Sequence, residues 1–131
     1  MIEADITKAL DTAMGKELRV LAVYLLGSGA RGELRKDSDI DLGLLLEPGE
    51  KMSSLEKTGL ANHLSYILGR CADLGFINSK NLVYAKEALL YGRQIYVRNM
   101  SRAALAAATL LGMYVRFNED RKEVLDAYRA R

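Results

Sequence analysis

The chain is 131 residues long, half of them apolar and 27% charged, which is typical of a globular protein and not of a disordered one. Nineteen basic and seventeen acidic side chains leave a formal net charge of +2, so overall charge does not predict direct nucleic-acid binding. A single cysteine excludes an internal disulfide, and a single histidine beside it argues against a structural zinc site. We therefore expect one domain over residues 1–131.

The N-terminus and the apolar runs bear on location. The first residues include Glu3 and Asp5 and lack the long apolar core of a secretory signal. No run approaches the roughly 18 apolar residues that a membrane span requires. Because the lone Cys71 also fits a reducing compartment, the sequence predicts a cytoplasmic protein that does not bind membranes.

The first half of the chain predicts two helices and two strands. Residues 2–14 carry an apolar stripe at helical spacing, and a strand follows over residues 18–26. A glycine turn and a short helix over residues 28–34 precede a second strand over residues 40–46. The helical stripe consists of Ile2, Ile6, Leu10 and Ala13. Tyr24, within the first strand, is predicted to be a core aromatic.

The second half continues the alternation of helices and strands. Ser53 or Ser54 can cap a helix that ends at Gly69. Strands are predicted over residues 71–78 and 93–97, and a helix over residues 80–91. A C-terminal helical segment over about residues 101–131, with Ser101 as its cap, is the best candidate for binding a partner protein.

Three glycines at the end of the first strand point to an anion site. Gly27, Gly29 and Gly32 lack Cβ atoms, so a bulky anion can approach the backbone N–H groups there. Ser28 adds a hydroxyl and Arg31 adds a planar set of donors, both of which suit a polyphosphate. This turn therefore predicts the phosphate-binding half of a site.

Two alternating carboxylates open the second strand. Asp39 and Asp41 are two residues apart, so in a strand they share one face at roughly 6.6–7 Å between Cα atoms. Unpaired, they repel each other, and bound Mg²⁺ relieves this repulsion. Asp37 lies outside the alternation and is a weaker ligand candidate. The sequence therefore predicts a metal site beside the glycine turn.

These motifs resemble those of a known family. Gly27-Ser28, then ten residues, then Asp39-Ile40-Asp41 resembles the signature of the DNA polymerase β-like nucleotidyltransferases, in particular the minimal nucleotidyltransferases. The closer likeness is to the MntA-type antitoxins, which pair with HEPN-domain toxins. The resemblance implies the nucleotidyltransferase fold, an α/β (α+β) architecture with a small mixed β-sheet and flanking helices.

The resemblance also assigns a third carboxylate. Asp73 interrupts the apolar run 71–78, and a buried acid there would need a partner such as a metal. In the resembling family this strand supplies an acid that binds metal and helps to deprotonate the attacking hydroxyl, so Asp39, Asp41 and Asp73 become the expected catalytic and metal-binding residues. Many relatives carry a second acid two places later, where this chain has Gly75.

The function implied by the resemblance is protein adenylylation. The chain would use Mg²⁺, as two ions, and ATP as co-substrate to transfer AMP to a tyrosine of a HEPN ribonuclease toxin, which the modification silences. Gly27, Ser28 and Arg31 would bind the nucleotide. His63, in the helix 54–68, is predicted to be an ordinary side chain without a catalytic role.

Two alternatives stay open on the sequence. One is a nucleotidyltransferase that acts on a small hydroxyl compound such as an aminoglycoside. The other is a non-catalytic antitoxin that neutralises its toxin by occlusion. Self-association into a homo-oligomer is compatible with either.

Overall fold

The computed structural model of the protein describes residues 2–35 and 37–130, and the side chain of Ile2 lies outside this description. Helices and strands alternate along the chain. The helices are α1 (Ile2–Met14), α2 (Gly27–Ala30), α3 (Ser54–Leu68), α4 (Leu82–Tyr91) and α5 (Met100–Arg129). The strands are β1 (Val20–Leu25), β2 (Ile40–Leu46), β3 (Ala72–Ile77) and β4 (Arg93–Val97).

The four strands form one mixed sheet in the order β3-β2-β1-β4. β1 runs antiparallel to both β2 and β4, whereas β2 and β3 are parallel because α3 connects them as a crossover helix. The predicted class, a small mixed sheet with flanking helices, is confirmed.

Helices cover both faces of the sheet, so both central strands are almost entirely apolar. All six residues of β1 are buried, and in β2 every residue except Asp41 is buried. One core cluster joins α1 and α3 to one sheet face, and a second joins α4 and α5 to the other. Tyr24 belongs to the second cluster, as predicted, and its hydroxyl accepts a hydrogen bond from Gln94 Nε2.

The helix caps show where sequence signals were sufficient. Ser53 caps α3 in a reciprocal capping box with Glu56, and Gly69 ends that helix at a φ of 68°. The predicted cap of the last helix was wrong. Asn99, two residues before Ser101, accepts the hydrogen bond from the Arg102 N–H, so α5 begins earlier than expected.

Helix α5 is the longest element, with 30 residues, and spans about 45 Å. Ala103 and Ala106 in its first turns are buried against the sheet. From residue 115 to residue 130 every side chain is exposed, including several large apolar ones. The exposed apolar residues of this distal half are Val115, Phe117, Val124, Leu125 and Tyr128. No helix in the described ranges combines the length and hydropathy of a membrane span.

Replacing the cap residue Ser53 by Ala should destabilise the fold by about 1 kcal/mol, because the Glu56 N–H then loses its acceptor. The same exchange at Ser54, the first residue of the helix proper, is the matched control. Urea unfolding monitored by circular dichroism measures both variants. Equal midpoints for S53A and S54A would contradict the capping role.

Candidate active site

The glycine turn packs directly against a carboxylate of β2. Gly27 adopts a φ of 61°, and a Cβ built on it would lie 3.1 Å from Asp41 Oδ2. The backbone N–H of Leu26 donates to the Asp41 carbonyl at 2.9 Å. The turn after β1 and the start of β2 are therefore held together, and residue 27 must be a glycine both for its dihedrals and for the space it leaves.

The parallel pairing of β2 and β3 places two carboxylates side by side. Asp41 and Asp73 are register partners, and the next pair on the same face is Gly43 with Gly75. Neighbouring strands lie about 4.7–4.9 Å apart, and paired residues point to the same face. Asp41 and Asp73 therefore project together, on the face that α4 covers farther along the strands.

A cavity of about 270 Å³ opens at this carboxylate pair. Its wall is apolar apart from the two acids and one hydroxyl. The lining residues are Leu26, Asp41, Leu42, Asp73, Leu74, Gly75 and Tyr84. The site thus lies where the glycine turn, the two parallel strands and the first turn of α4 meet.

The tyrosine hydroxyl reaches this cavity because residue 75 has no side chain. Tyr84 lies in the first turn of α4, where its N–H donates to the capping Asn81 side chain. A Cβ built on Gly75 would lie 2.2 Å from Tyr84 Oη. The missing side chain of Gly75 therefore makes room for a phenol.

The surroundings of Asp41 disfavour its charged form. Burial, the charge of Asp73 and then that of Asp39 raise the pKa of Asp41 above its ordinary value. Burial and the charges of Asp41 and Asp73 likewise raise the pKa of Tyr84, so its phenol stays protonated. The site concentrates negative charge that a cation would neutralise.

This donor set fits Mg²⁺. The polar groups that line the cavity are oxygens, and the pKa of Asp41 is raised by burial first and by the nearby charges of Asp73 and Asp39 second, both of which a bound divalent ion would offset. Among the described residues no three carboxylate, histidine or cysteine side chains are placed to hold a metal alone. Mg²⁺ is usually bound by one or two carboxylates plus phosphates and water, so two clustered acids are sufficient for a nucleotide-dependent site.

The predicted site residues are only partly brought together. Asp39 is exposed just before β2 and acts on Asp41 through its charge, without lining the cavity. Ser28 is half-buried in α2, and its carbonyl accepts a hydrogen bond from the Glu33 N–H. Arg31 is exposed, and its Nε lies 3.4 Å from Glu33 Oε2. Gly27, Asp41 and Asp73 thus form the assembled part of the site.

Tyr84 is the site residue that sequence reasoning missed. The sequence predicts it within the helix 80–91 but gives it no role, because the motifs that point to the site end at Asp73. The one signal in the sequence is Gly75, whose missing side chain leaves space on the face of Asp73. The exposed His63 on α3 does not line the cavity.

A larger cavity lies away from the carboxylates. Its volume is about 820 Å³, and it opens between the ends of β2 and β3 and the first half of α5. None of the predicted site residues lines it. We therefore assign the chemistry to the smaller cavity, which holds the perturbed acids.

The family profile described as "Polymerase beta, Nucleotidyltransferase" matches residues 8–101, which include the glycine turn and all three acids. The chain belongs to this nucleotidyltransferase family, which confirms the resemblance of the Gly-Ser and Asp-x-Asp motifs. The protein adenylyltransferase MntA of Shewanella oneidensis is 25% identical over 104 residues, which cover 79% of this chain and 73% of MntA.

Solved structures agree with this fold. A crystal structure of a toxin–antitoxin with AMP-PNP superposes with a TM-score of 0.75 at 23% identity, over 98% of this chain and 99% of that one. A structure of tri-AMPylated Shewanella oneidensis HEPN toxin in complex with MNT antitoxin gives a TM-score of 0.69 at 22% identity, over 98% and 96%. At these identities the likeness establishes the shared fold.

Replacing Gly27 by Ala should cost about 1–2 kcal/mol of stability, because an L residue is strained at this φ. Gly49 has a φ of 83° and no atom within 4 Å of the place a Cβ would take, so G49A carries similar strain without a contact. We expect calorimetric titration to show weaker Mg²⁺-ATP binding for G27A only. Equal Mg²⁺-ATP binding by G27A and G49A would show that the Gly27 turn is not part of the nucleotide site.

Replacing the Asp41 carboxylate by an amide should raise the Tm of the protein at neutral pH. The raised pKa of Asp41 means that folding favours the protonated form, so stability is lost as pH rises through that pKa. D41N removes this loss and should raise Tm at about pH 7, but not at about pH 3, where the acid is protonated in both states. A rise of a few degrees at most is expected, because screened charges at exposed sites contribute about 1 kcal/mol or less.

The effect of Mg²⁺ on the Tm of D41N gives a second test of Asp41. Mg²⁺ should raise the Tm of the wild type more than that of D41N, since a ligand that binds only the folded state stabilises it. D37N, which changes an exposed acid outside the pair, is the control and should respond like the wild type. An identical response of D41N and wild type would remove Asp41 from the metal site.

Proposed function

We propose that the chain is a Mg²⁺-dependent protein adenylyltransferase antitoxin, which transfers AMP from ATP to a tyrosine of a HEPN ribonuclease toxin. The observation that carries the proposal is the pair Asp41 and Asp73, in register at a cavity against the Gly27 turn. The similarity to MntA and to the toxin–antitoxin structures supports this acceptor over others. The use of ATP as donor is in keeping with a reaction in the cytoplasm.

The turn would bind the triphosphate tail. Gly27 leaves the backbone N–H groups of α2 open to an anion, and the Ser28 hydroxyl can donate to a phosphate oxygen. Arg31 would exchange its exposed contact with Glu33 for a phosphate. These contacts hold the β- and γ-phosphates, so that the α-phosphorus lies at the carboxylate pair.

The acids would hold metal and accept a proton. Asp39, Asp41 and Asp73 are the proposed ligands, and bound Mg²⁺, as two ions, supplies charge neutralisation at the reacting phosphate. Asp73 lines the cavity beside Asp41 and would take the proton from the acceptor hydroxyl. Alignment and charge, without a covalent protein intermediate, then account for the transfer.

Cavity size bears on the small-substrate alternative. At about 270 Å³ the cavity is smaller than the roughly 300–1,000 Å³ of pockets that enclose a small ligand. It suits the reacting phosphoryl group with its metal, while the rest of the nucleotide and the acceptor lie outside. A protein acceptor that presents a single tyrosine hydroxyl fits this opening better than an enclosed small compound.

The double variant D39N/D41N should lose transfer of radiolabelled AMP to the toxin by about 10²–10³-fold or more, because metal neutralisation contributes several kcal/mol. D37N is the matched acid-to-amide control and should retain transfer. Undiminished transfer by the folded double variant would refute the assignment. If D39N/D41N transfers no AMP yet still neutralises the toxin, occlusion is the mechanism.

A further inference from the structure

One tyrosine of this chain lies within its own candidate active site. All seven tyrosines fall within the described residues, and Tyr84 alone lines the cavity formed by Asp41 and Asp73. The hydroxyls of Tyr24 and Tyr96 form hydrogen bonds with other groups. Tyr66 and Tyr128 are exposed on α3 and α5. The rings of Tyr91 and Tyr114 flank the Lys86 ammonium.

The Tyr84 hydroxyl is held against β3 and is open to a ligand. The ring is half-buried on the first turn of α4, and Oη lies over Gly75, two residues beyond Asp73 on the same face. Within the described part of the chain no hydrogen bond involves this oxygen, and it is not sealed from the cavity. A phenol so placed retains both its lone pairs and its proton for a bound group.

The size of the cavity brings this oxygen close to any bound phosphoryl group. About 270 Å³ is the volume of roughly nine water molecules, so a phosphoryl group that binds at Asp41 and Asp73 has Tyr84 as a neighbour. Tyr84, Asp41 and Asp73 line this one cavity, and the phenol on α4 faces the strand that carries Asp73. The chemical group that the toxin would present is thus already inside the site.

We infer that Tyr84 is an internal acceptor, and that the chain without its partner transfers AMP to its own Tyr84 hydroxyl. This inference rests on the proposed adenylyltransferase function and adds a modification site to it. A bond forms between Tyr84 Oη and the α-phosphorus of ATP, and the bond from that phosphorus to the bridging oxygen of the β-phosphate breaks. Pyrophosphate leaves with the electron pair, and the phenolic proton passes to the Asp73 carboxylate.

The transfer is intramolecular, because a half-buried ring inside one cavity cannot enter the cavity of another molecule. A nucleophile tethered beside the reacting atom needs no encounter step, so the reaction proceeds at low protein concentration. The product keeps the phosphoryl group of its own AMP in the cavity. Self-modification therefore limits labelling to one AMP per chain and competes with transfer to a toxin tyrosine.

The test uses the full-length chain with Mg²⁺ and ATP labelled at the α-phosphate, without toxin, and locates the AMP by peptide mass spectrometry. We expect label on Tyr84 in the wild type and in Y66F, which changes an exposed tyrosine of α3. Y84F should fall to background, as should D41N. Label on another residue, or undiminished label on Y84F, would overturn the inference.

A parallel reaction with added toxin separates this inference from the proposed function. Label on the toxin without label on the chain overturns self-modification and leaves the adenylyltransferase function intact. Label on neither protein means that the proposed function itself has failed. If Y84F loses transfer to the toxin in the same proportion as it loses self-label, the hydroxyl serves the site and is not an acceptor.

A mixture of two variants tests the intramolecular route. An affinity-tagged D41N chain keeps Tyr84 but lacks a metal ligand, and an untagged Y66F chain, whose substitution lies outside the cavity, supplies the active site. We expect no label on the tagged chain over a tenfold range of protein concentration. Label that appears on the tagged chain and grows with concentration would show transfer between molecules and overturn the route.

Discussion

The register of two parallel strands is the constraint on which the site depends. It sets Asp41 beside Asp73 and Gly43 beside Gly75. Two like charges and two residues without side chains therefore share one face of the sheet. Burial first, and the charge of Asp73 second, raise the pKa of Asp41 at this position. The apolar remainder of β2, buried from both sides by helices, holds the strand in place around this pair of acids. A one-residue slip of β2 against β3 would turn the Asp41 side chain to the opposite face of the sheet, away from Asp73.

The proposed nucleotide site is built from elements that are distant in sequence. The turn at Gly27 comes from the end of β1, the acids come from β2 and β3, and the phenol comes from α4. Each element is anchored by its own hydrogen bonds, such as those of Leu26 to Asp41 and of Tyr84 to Asn81. The site is therefore preorganised by the fold, in keeping with a reaction that needs alignment more than covalent chemistry.

Local patterns predicted much of this structure, and through-space contacts account for the rest. The bounds of β2 follow from an apolar run between clear turn signals, and the cap at Ser53 follows from its Glu56 partner. Asn99 and Ser101 are both competent caps, so only the place where β4 ends decides between them. The approach of Tyr84 to Gly75 joins a helix to a strand, and periodicity does not report which side chain fills the space left by a glycine.

The distal half of α5 shares no residue with the catalytic cavity. Its side chains from residue 115 onwards meet solvent, so substitutions there leave the packing around the carboxylate pair unaltered. Selection can therefore act on this surface and on the chemistry separately. Sequence change can therefore accumulate along this exposed helix while the carboxylate pair and its cavity are kept.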